Sequence, residues 1–340
     1  MLVRLRMLLK NKRFNKINLY TIIAVYFLIL VGGIVRSMGA GMGCPDWPKC
    51  FDRYIPPSSE YELPENYEDV YSLQRIKKNE RLSSVLSSIG LQMLADKVLS
   101  DPNASKKTFY NTKKAWVEYL NRLVGVVIGL FIIGNMLYSF TVKDFWVKFL
   151  GVTSFVLVLF QGWIGSLVVS TNLLPGFISF HLGLALLLVA LLLVQRYRLL
   201  NGGDAFKGKI LISTILILFS IQIVFGTQVR EQIDQIHLLG LLKSEWISNL
   251  GTLFYIHRSY SILLVILIGY FIFINKHLLQ TNKLLFGLGV TVVLEIVLGV
   301  IMTYLNFPAF AQPAHLFVGT LSFGLIFYLF LSTHFKSVSY

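Results

Sequence analysis

The sequence has 340 residues, of which 55% are hydrophobic and 14% are charged, and its formal net charge at pH 7 is +14. A soluble domain carries roughly 25% charged residues, so most of the surface of this chain is expected to face something other than water. The positive charge would suit a nucleic-acid partner, but it lies between apolar stretches in the pattern of a membrane topology signal, which excludes nucleic acid as a partner.

Eight apolar stretches are long enough to cross a bilayer, which requires about 20 residues per helix. In chain order they cover residues 18–36, 117–138, 147–169, 177–196, 209–228, 252–275, 283–304 and 313–333. Short connections join these stretches, except that a polar segment, 41–115, separates the first two. The sequence therefore predicts an all-α integral membrane protein with eight transmembrane helices.

The basic residues predict the orientation of these helices, because Lys and Arg mark the cytoplasmic side. Residues 4–16 contain six basic residues, and every second connection and the C-terminal tail are basic as well. Together these segments hold 15 basic and two acidic residues, a difference of +13. Both termini are predicted to be cytoplasmic, and segment 41–115, with 11 basic and 10 acidic residues, is predicted to lie outside.

The first span and the outer segment each allow a further interpretation. Span 1 has the basic start and apolar middle of a cleaved signal, and Gly43-Cys44 resembles a lipoprotein cleavage site. An internal repeat requires span 1 to remain, so we interpret it as a transmembrane helix. Within the outer segment, residues 68–99 favour one or two amphipathic helices lying on the membrane.

The first four spans match the last four in register. Residues 32–36 in span 1 match residues 226–230 in span 5, since both begin with Gly and end with Val-Arg. Residues 119–122 in span 2 match residues 255–258 in span 6, since both begin with Tyr and end with Arg. These matches pair the spans of the two halves in order.

The third match centres on a histidine in the last span of each half. A Gly and an Asn precede that histidine by 16 and 9 residues in both halves, as Gly165, Asn172 and His181 and as Gly299, Asn306 and His315. Glu295 then aligns with Gln161. A carboxylic acid within an apolar helix is expected to be protonated or paired.

The repeat predicts two parallel four-helix bundles, because an even number of spans gives both halves the same orientation. Helix bundles build cofactor sites from side chains on facing helices. The predicted organisation is a basic cytoplasmic N-terminus, residues 1–17, a first half, residues 18–198, and a second half, residues 199–340.

Three histidines lie at the outer starts of even-numbered spans: His181, His257 and His315. A single histidine in an apolar helix is more often a packing residue, but ionisable groups inside a membrane favour a functional interpretation. His257 and His315 would lie on facing helices, which suits two axial ligands on a haem iron. Zinc would need further ligands. Arg230 and Arg258 either pair with the haem propionates or extend to lipid headgroups.

The first half departs from this symmetry. Glu118 and Asn121 stand at the positions of Phe254 and His257, and residues three apart share a helix face. His181 is then the strong iron ligand of this half, which suits a haem that must enter, react and leave. Glu118 could instead be an N-terminal acid that the helix dipole favours, but its absence from the second half favours a catalytic role.

Cys44 and Cys50, the only cysteines, lie in one short outer loop. A disulfide is chemically permitted on the oxidising outer face, and two cysteines in one loop favour pairing. The pair would either staple the loop or act as a redox pair near the substrate, and we favour the staple.

These features resemble the haem A synthase family over nearly the whole chain. The resemblance rests on the repeat, the histidines, the Glu-Tyr-x-x-Arg run 118–122, the His-Arg pair 257–258 and the loop sequence Gly-Cys-Pro-Asp-Trp-Pro-Lys-Cys. It implies an oxidoreductase of the bacterial cytoplasmic (inner) membrane, with its active site toward the outer face. Such an enzyme oxidises the C8 methyl of haem O to a formyl group, with water as the oxygen source, and so supplies haem A for cytochrome oxidase assembly.

The resemblance also assigns roles to the site residues. Haem b would be the cofactor, ligated by His257 and His315, and Cys44 and Cys50 would form a disulfide. Glu118 and His181 would flank the substrate haem, with Glu118 accepting a proton. We assign three further residues to the substrate haem: Asn121, Arg122 and Arg36. Asn121 is a departure, because the family usually has histidine there.

The implied partners are haem O, membrane lipid, haem O synthase, an outer-face thiol oxidoreductase, and a quinone or other electron acceptor. Two other functions compete with this interpretation. A quinol-linked membrane cytochrome that carries electrons through haem b would explain His257 and His315 but not Glu118. A haem transporter or chaperone built from repeats would place its polar residues at the midplane, whereas here they lie near the outer ends of the spans.

Overall fold

The computed structural model describes residues 2–101, 105–107, 109–171, 176–200 and 206–335. These residues form ten α-helices, α1 Leu2–Ser37, α2 Tyr67–Ser88, α3 Gln92–Leu99, α4 Thr112–Ser139, α5 Phe145–Ser170, α6 Phe177–Leu199, α7 Lys209–Leu238, α8 Thr252–Ile274, α9 Lys283–Tyr304 and α10 Ala311–His334. Short 3₁₀ helices cover Glu60–Glu62, Lys243–Glu245, Ile247–Asn249 and Lys276–Leu278. Within the described ranges, the one β-type pairing joins Cys50 to Arg53.

Eight of these helices, all but α2 and α3, are long and apolar enough to cross a membrane. Large apolar side chains along them face outward, as do Leu130, Ile217 and Ile266, which are each about 60% exposed. Such surfaces suit lipid, which a helix can face because its backbone hydrogen bonds are satisfied internally. The predicted all-α, eight-span membrane architecture is confirmed, while the cytoplasmic placement of the termini stays a prediction.

The fifth span, α7, is longer than the sequence predicts. It continues ten residues past the predicted end at 228, to Leu238. Two interactions explain the extension: Arg230 lies 2.8 Å from Asp234, one turn further on, and a neighbouring face of the helix buries Val229 and Ile233. An ion pair at this spacing supports helix, so the polar residues that suggested an end to the span lie within the helix.

The chain divides into two compact units. The first comprises Met1–Gly33, Ile128–Val158 and Gly183–Tyr340, and the second comprises Ile34–Val127 and Leu159–Leu182. These units are defined by packing, whereas the predicted halves are defined by sequence similarity. The units therefore do not test the boundary between the two halves, which stays a prediction at residues 198/199. Asn172, one member of the repeated pattern, lies outside the described residues.

In the first unit, the four helices of the second half close into a bundle. Helix α7 packs against α8 and α10, and α9 packs against α8 and α10. Two apolar clusters fill the bundle. The Phe271 cluster includes Ile212, Ile215, Phe219, Leu264, Ile268, Phe271, Leu285, Leu288, Phe323, Ile326 and Leu329. The Trp246 cluster includes Val229, Ile233, Ile236, Trp246, Leu250, Phe254 and Phe307.

A buried polar network also stabilises this unit. The Asn18 side chain donates to Gln195 Oε1 at 3.0 Å, and Asn135 donates to the same oxygen at 2.7 Å. The Gln195 amide in turn donates to the backbone carbonyl of Val147 at 2.9 Å. Since buried amides without partners are costly, this network fixes α1, α4, α5 and α6 against one another at one end.

The second unit contains the outer segment, where two helices form as predicted. Helix α2 buries residues four apart, among them Tyr67, Tyr71 and Arg75. Phe51 packs edge-on against Tyr67, Tyr71 and Tyr110, with ring centroids 5.3–5.9 Å apart. Aromatic edge-to-face contacts of this kind stabilise small cores.

Polar contacts hold the start of this segment. Glu62 accepts hydrogen bonds from the hydroxyl and the backbone N–H of Ser58 and pairs with Arg53. The Ser58 hydrogen bonds lower the pKa of Glu62 to about 2. The carboxylate is therefore charged at any physiological pH, and its contacts persist.

Candidate functional site

The three predicted histidines occupy equivalent places in their helices. His181 is the fifth residue of α6, His257 the sixth of α8 and His315 the fifth of α10. Each therefore lies in the first two turns, as the sequence predicts. All three histidine side chains are partly buried.

A polar layer lies between the two apolar clusters of the α7–α10 bundle. Along α8, His257 follows Phe254 of the Trp246 cluster and precedes Leu264 of the Phe271 cluster. The other helices contribute residues in contact with the histidines: Gln222 and Gly226 from α7 contact His257, and Glu295 from α9 contacts His315 of α10. Tyr260, one turn after His257, and Gln312, one turn before His315, extend the layer along α8 and α10. His257 and His315 lie close enough to interact electrostatically. Their joint ligation of a haem iron stays a prediction.

Helix α7 positions His257 through two residues one turn apart. The Gln222 amide donates to the His257 backbone carbonyl at 3.0 Å. At Gly226, a Cβ atom would lie 3.1 Å from Cε1 of the His257 ring and 3.8 Å from each ring nitrogen. A side chain at this position would be in tight contact with the imidazole, so glycine favours the close approach of α7 to His257.

Helix α9 positions His315 through a carboxylate. Glu295 Oε2 lies 2.8 Å from His315 Nδ1, with the two side chains 20% and 27% exposed. The ring N–H is not aligned with the oxygen. The distance is nonetheless that of a hydrogen bond, and a small rotation about the soft χ2 angle would align the donor. Glu295 thus has an ionisable neighbour, and the expectation that its carboxyl group is protonated or paired stays a prediction.

Several buried polar atoms of this layer have no hydrogen-bond partner within the described ranges. They are Gln222 Oε1, His257 Nδ1, Tyr260 OH, Glu295 Oε1 and Gln312 Oε1. Buried polar atoms are almost always satisfied in folded proteins, so their concentration in one layer indicates a ligand site. The described residues contain no group of three or more His, Cys, Asp or Glu side chains that could hold a metal ion. Two imidazoles fit haem, which supplies four ligands of its own.

The two arginines assigned to the haem propionates have protein partners. Arg230 pairs with Asp234 on α7, and the exposed Arg258 lies over the Tyr255 ring, with its guanidinium carbon 5.8 Å from the ring centroid. Neither contact involves the histidine layer. Their assignment to propionates therefore stays a prediction.

The second unit brings Glu118, Arg122 and the cysteine loop together. Glu118 is 3% exposed, and its Oε2 accepts a 2.8 Å hydrogen bond from the backbone N–H of Cys44. Its Oε1 accepts a hydrogen bond from Arg122, one turn later on α4. Each carboxylate oxygen can accept two hydrogen bonds, so Glu118 binds the loop and retains further acceptor capacity.

Arg122 binds the same loop through three backbone carbonyls. Its Nη1 donates to Asp46 at 2.9 Å and to Lys49 at 2.8 Å, and its Nη2 donates to Cys44 at 3.3 Å. Cys44 and Cys50 form a disulfide and are both buried. The sequence assigned Arg122 to the substrate haem, whereas the described contacts of its guanidinium attach the disulfide loop to α4.

Two further features shape this loop. At Gly43, a Cβ atom would lie 2.3 Å from the backbone oxygen of Lys114, so only glycine fits between the loop and the start of α4. The Asp46 carboxylate accepts from the backbone N–H groups of Phe51, at 2.6 Å, and Asp52, at 2.8 Å. Both residues have positive φ angles, of 53° and 61°, and these hydrogen bonds stabilise that unfavourable conformation.

The predicted ligand positions of the first half also lie in the second unit. The Oδ1 atom of Asn121 and the Nδ1 atom of His181 are buried and have no partner among the described residues. Gln161 donates to the His181 backbone carbonyl at 3.4 Å. A Cβ at Gly165 would lie 3.5 Å from the His181 ring. Arg36, the remaining assigned residue, is partly buried in the last turn of α1.

The repeat is visible in these contacts. Gln161 contacts His181, and Glu295, aligned with Gln161, contacts His315. Sequence reasoning missed Gln222 as a contact of the histidine layer. It also missed the loop contacts of Glu118 and Arg122, although their spacing of four residues indicated that they face the same way.

Comparison with known proteins agrees with this architecture. The family model described as cytochrome oxidase assembly protein matches residues 15–83 and 102–327. The chain is 23% identical over 332 residues to the Heme A synthase of Shewanella oneidensis, covering 87% of this chain and 89% of that protein. It is 25% identical to the Heme A synthase of Ehrlichia canis, covering 90% of this chain and 89% of that protein. It is 25% identical to that of Wolbachia sp. subsp. Brugia malayi, covering 89% of this chain and 91% of that protein. The chain belongs to the cytochrome oxidase assembly protein family, with relatives named Heme A synthase that align along most of its length.

Proposed function

We propose that this membrane protein is an oxidoreductase that converts the C8 methyl group of haem O to a formyl group, giving haem A. The polar layer of the α7–α10 bundle carries the proposal, because it places His257 and His315 together between two apolar clusters. Family membership and relatives named Heme A synthase support the same reaction.

The conversion requires an oxidant and a source of oxygen. A methyl group and one water molecule give a formyl group with the release of four electrons and four protons. The electrons pass to an acceptor of the quinone class or another membrane oxidant, and water supplies the oxygen. The protons require an acceptor near the methyl carbon.

Haem b is the proposed resident cofactor, and when bound it supplies one-electron transfer. His257 and His315 would hold its iron. Gln222 and Gly226 position His257, while Glu295 positions His315. The flanking apolar clusters exclude water from the layer. These residues belong to one closed four-helix bundle, which suits a cofactor that stays in place.

The substrate haem O is proposed to bind in the first half. His181 is the strong ligand, and Asn121, whose Oδ1 atom is a buried acceptor, supplies a weak one. A weakly held iron suits a substrate that must leave as product. Glu118 is proposed to accept a proton, and the disulfide loop fixes the position of its carboxylate.

A haem b electron carrier would use the same histidine layer, and product analysis separates it from the proposed enzyme. The protein would be produced in a host that makes haem O but not haem A, and extracted haems would be separated by chromatography. We expect haem A to appear together with haem b. Haem b alone, in cells that demonstrably contain haem O and a membrane oxidant, would favour the electron carrier.

A further inference from the structure

We propose that Glu295 is a positioning residue that sets the reduction potential of the resident haem through His315, making it more negative than a neutral side chain would. This inference rests on the proposed haem b site and extends it. Glu295 is not proposed to bind the iron itself. It acts on the imidazole that does.

The contact is specific to one face of α10. Glu295 Oε2 lies 2.8 Å from Nδ1 of His315. A Cβ at Gly319, one turn after His315, would lie 3.7 Å from Glu295 Oε1 and 3.9 Å from Oε2. The carboxylate therefore lies over the α10 surface between His315 and Gly319, with Nδ1 as its nearest polar neighbour on that helix.

A carboxylate at Nδ1 has two consequences for an axial imidazole. It fixes the tautomer that carries hydrogen on Nδ1, which leaves Nε2 free to bind iron. It also increases the electron donation of the ring to the metal. Stronger donation stabilises ferric over ferrous iron, so the potential becomes more negative.

The repeat supplies an internal comparison. Gln161 takes the position of Glu295 in the first half and donates to the backbone of His181 rather than contacting its ring. Nδ1 of His181 has no partner within the described parts of the chain. The two repeat-related histidines thus differ in donor strength: His315 has a carboxylate neighbour, as suits a permanent ligand, and His181 does not.

The test is a spectroelectrochemical titration of purified protein carrying its haem, comparing wild type with Glu295→Gln. Glutamine removes the charge but retains an oxygen that can accept from Nδ1–H, and the fold already places glutamine at position 161. We expect a potential shifted to a more positive value, with unchanged haem b content and an unchanged low-spin bis-histidine spectrum. Gln161→Glu, which changes the charge at the aligned position, is the matched control and should leave this potential unaltered.

Gly319→Ser provides a second, independent variant. A serine hydroxyl there can donate to Glu295 Oε1 and make the carboxylate a weaker acceptor toward His315 Nδ1–H, so the potential should shift in the same direction by a smaller amount. An unchanged potential in Glu295→Gln would overturn the inference. If that variant does not accumulate in the membrane, an unchanged potential in Gly319→Ser would overturn it instead. Wild-type protein without a bis-histidine haem would overturn the proposed cofactor site, and with it the role of Glu295.

Discussion

The carboxylate of Glu118 accepts a 2.8 Å hydrogen bond from the backbone N–H of Cys44. The residue proposed to take part in catalysis is thus directly attached to the disulfide loop. Because Glu118 is 3% exposed and also accepts from Arg122, its position depends on this loop, and the loop depends on it. The predictions for the first half follow from this contact.

Glu118→Gln should abolish or strongly reduce haem A formation while haem b content stays normal. General acid–base groups typically contribute about 10²–10⁴-fold to a rate, so a loss in that range is expected. The measurement is the ratio of haem A to haem O in extracted membranes. Undiminished haem A would remove Glu118 from the mechanism.

The same variant distinguishes catalysis from loop anchoring. In glutamine an NH₂ group replaces one of the two oxygens, so in the present geometry either the Cys44 N–H or the Arg122 guanidinium loses its acceptor. Thiol alkylation under denaturing conditions reports whether the Cys44–Cys50 disulfide has formed. Activity lost with the disulfide intact supports proton acceptance, whereas activity lost only when the disulfide is absent indicates a structural role.

Replacing both cysteines with serine should loosen the loop without unfolding the spans. Closing a loop with a sequence separation of 6 residues stabilises by about 2 kcal/mol in the chain-entropy model. Limited proteolysis should therefore cleave residues 41–55 faster, while haem b is retained. If the cysteine pair is redox-active instead, the double variant should make no haem A even under conditions in which its loop is cleaved no faster than that of wild type.

Arg122→Lys should weaken the attachment of the disulfide loop to α4 and so speed its proteolysis. A single ammonium group cannot reproduce the guanidinium contacts to three carbonyls. Lys49→Ala is the matched control: it removes the exposed pair with Asp52, whose side chain is 80% exposed. Exposed pairs contribute about 0–1 kcal/mol, so proteolysis of this control should match wild type. Equal sensitivity of Arg122→Lys and wild type would contradict the proposed anchoring.

Gly226→Val should lower haem b content, because a Cβ at 226 already lies 3.1 Å from the His257 ring and the added methyl groups would displace it. Gly32→Val is the repeat-matched control, since a Cβ there meets nothing within 4 Å. Haem b content per protein, measured by the pyridine haemochrome spectrum, checks both variants. Equal haem content in the two would show that Gly226 does not position the ligand.

The spans, the repeat and the three histidine positions could be predicted from sequence, because each depends on local patterns. Twenty apolar residues define a span wherever it packs, and a repeated interval before His181 and His315 needs no structure to be seen. The extension of α7 was missed because Arg230 and Asp234 suggest a loop until their ion pair within the helix is known.

The contacts of Glu118 and Arg122 could not be predicted for a different reason. Their loop partners lie 73–78 residues away in sequence, and most are backbone groups, which leave no side-chain signature. Glu295 gave a partial signal: a carboxylic acid in an apolar helix is expected to be protonated or paired, but only the packing of α9 against α10 identifies His315 as its neighbour.

The most direct test of the central claim, a resident haem in the second half and a substrate haem in the first, compares two histidine variants in a host that makes haem O. Haem b and haem A are measured in the same membranes for wild type, His181→Ala and His257→Ala. We expect His181→Ala to retain haem b but make no haem A, and His257→Ala to lose haem b. Wild-type haem A levels in His181→Ala, or full haem b content in His257→Ala, would contradict this division of roles.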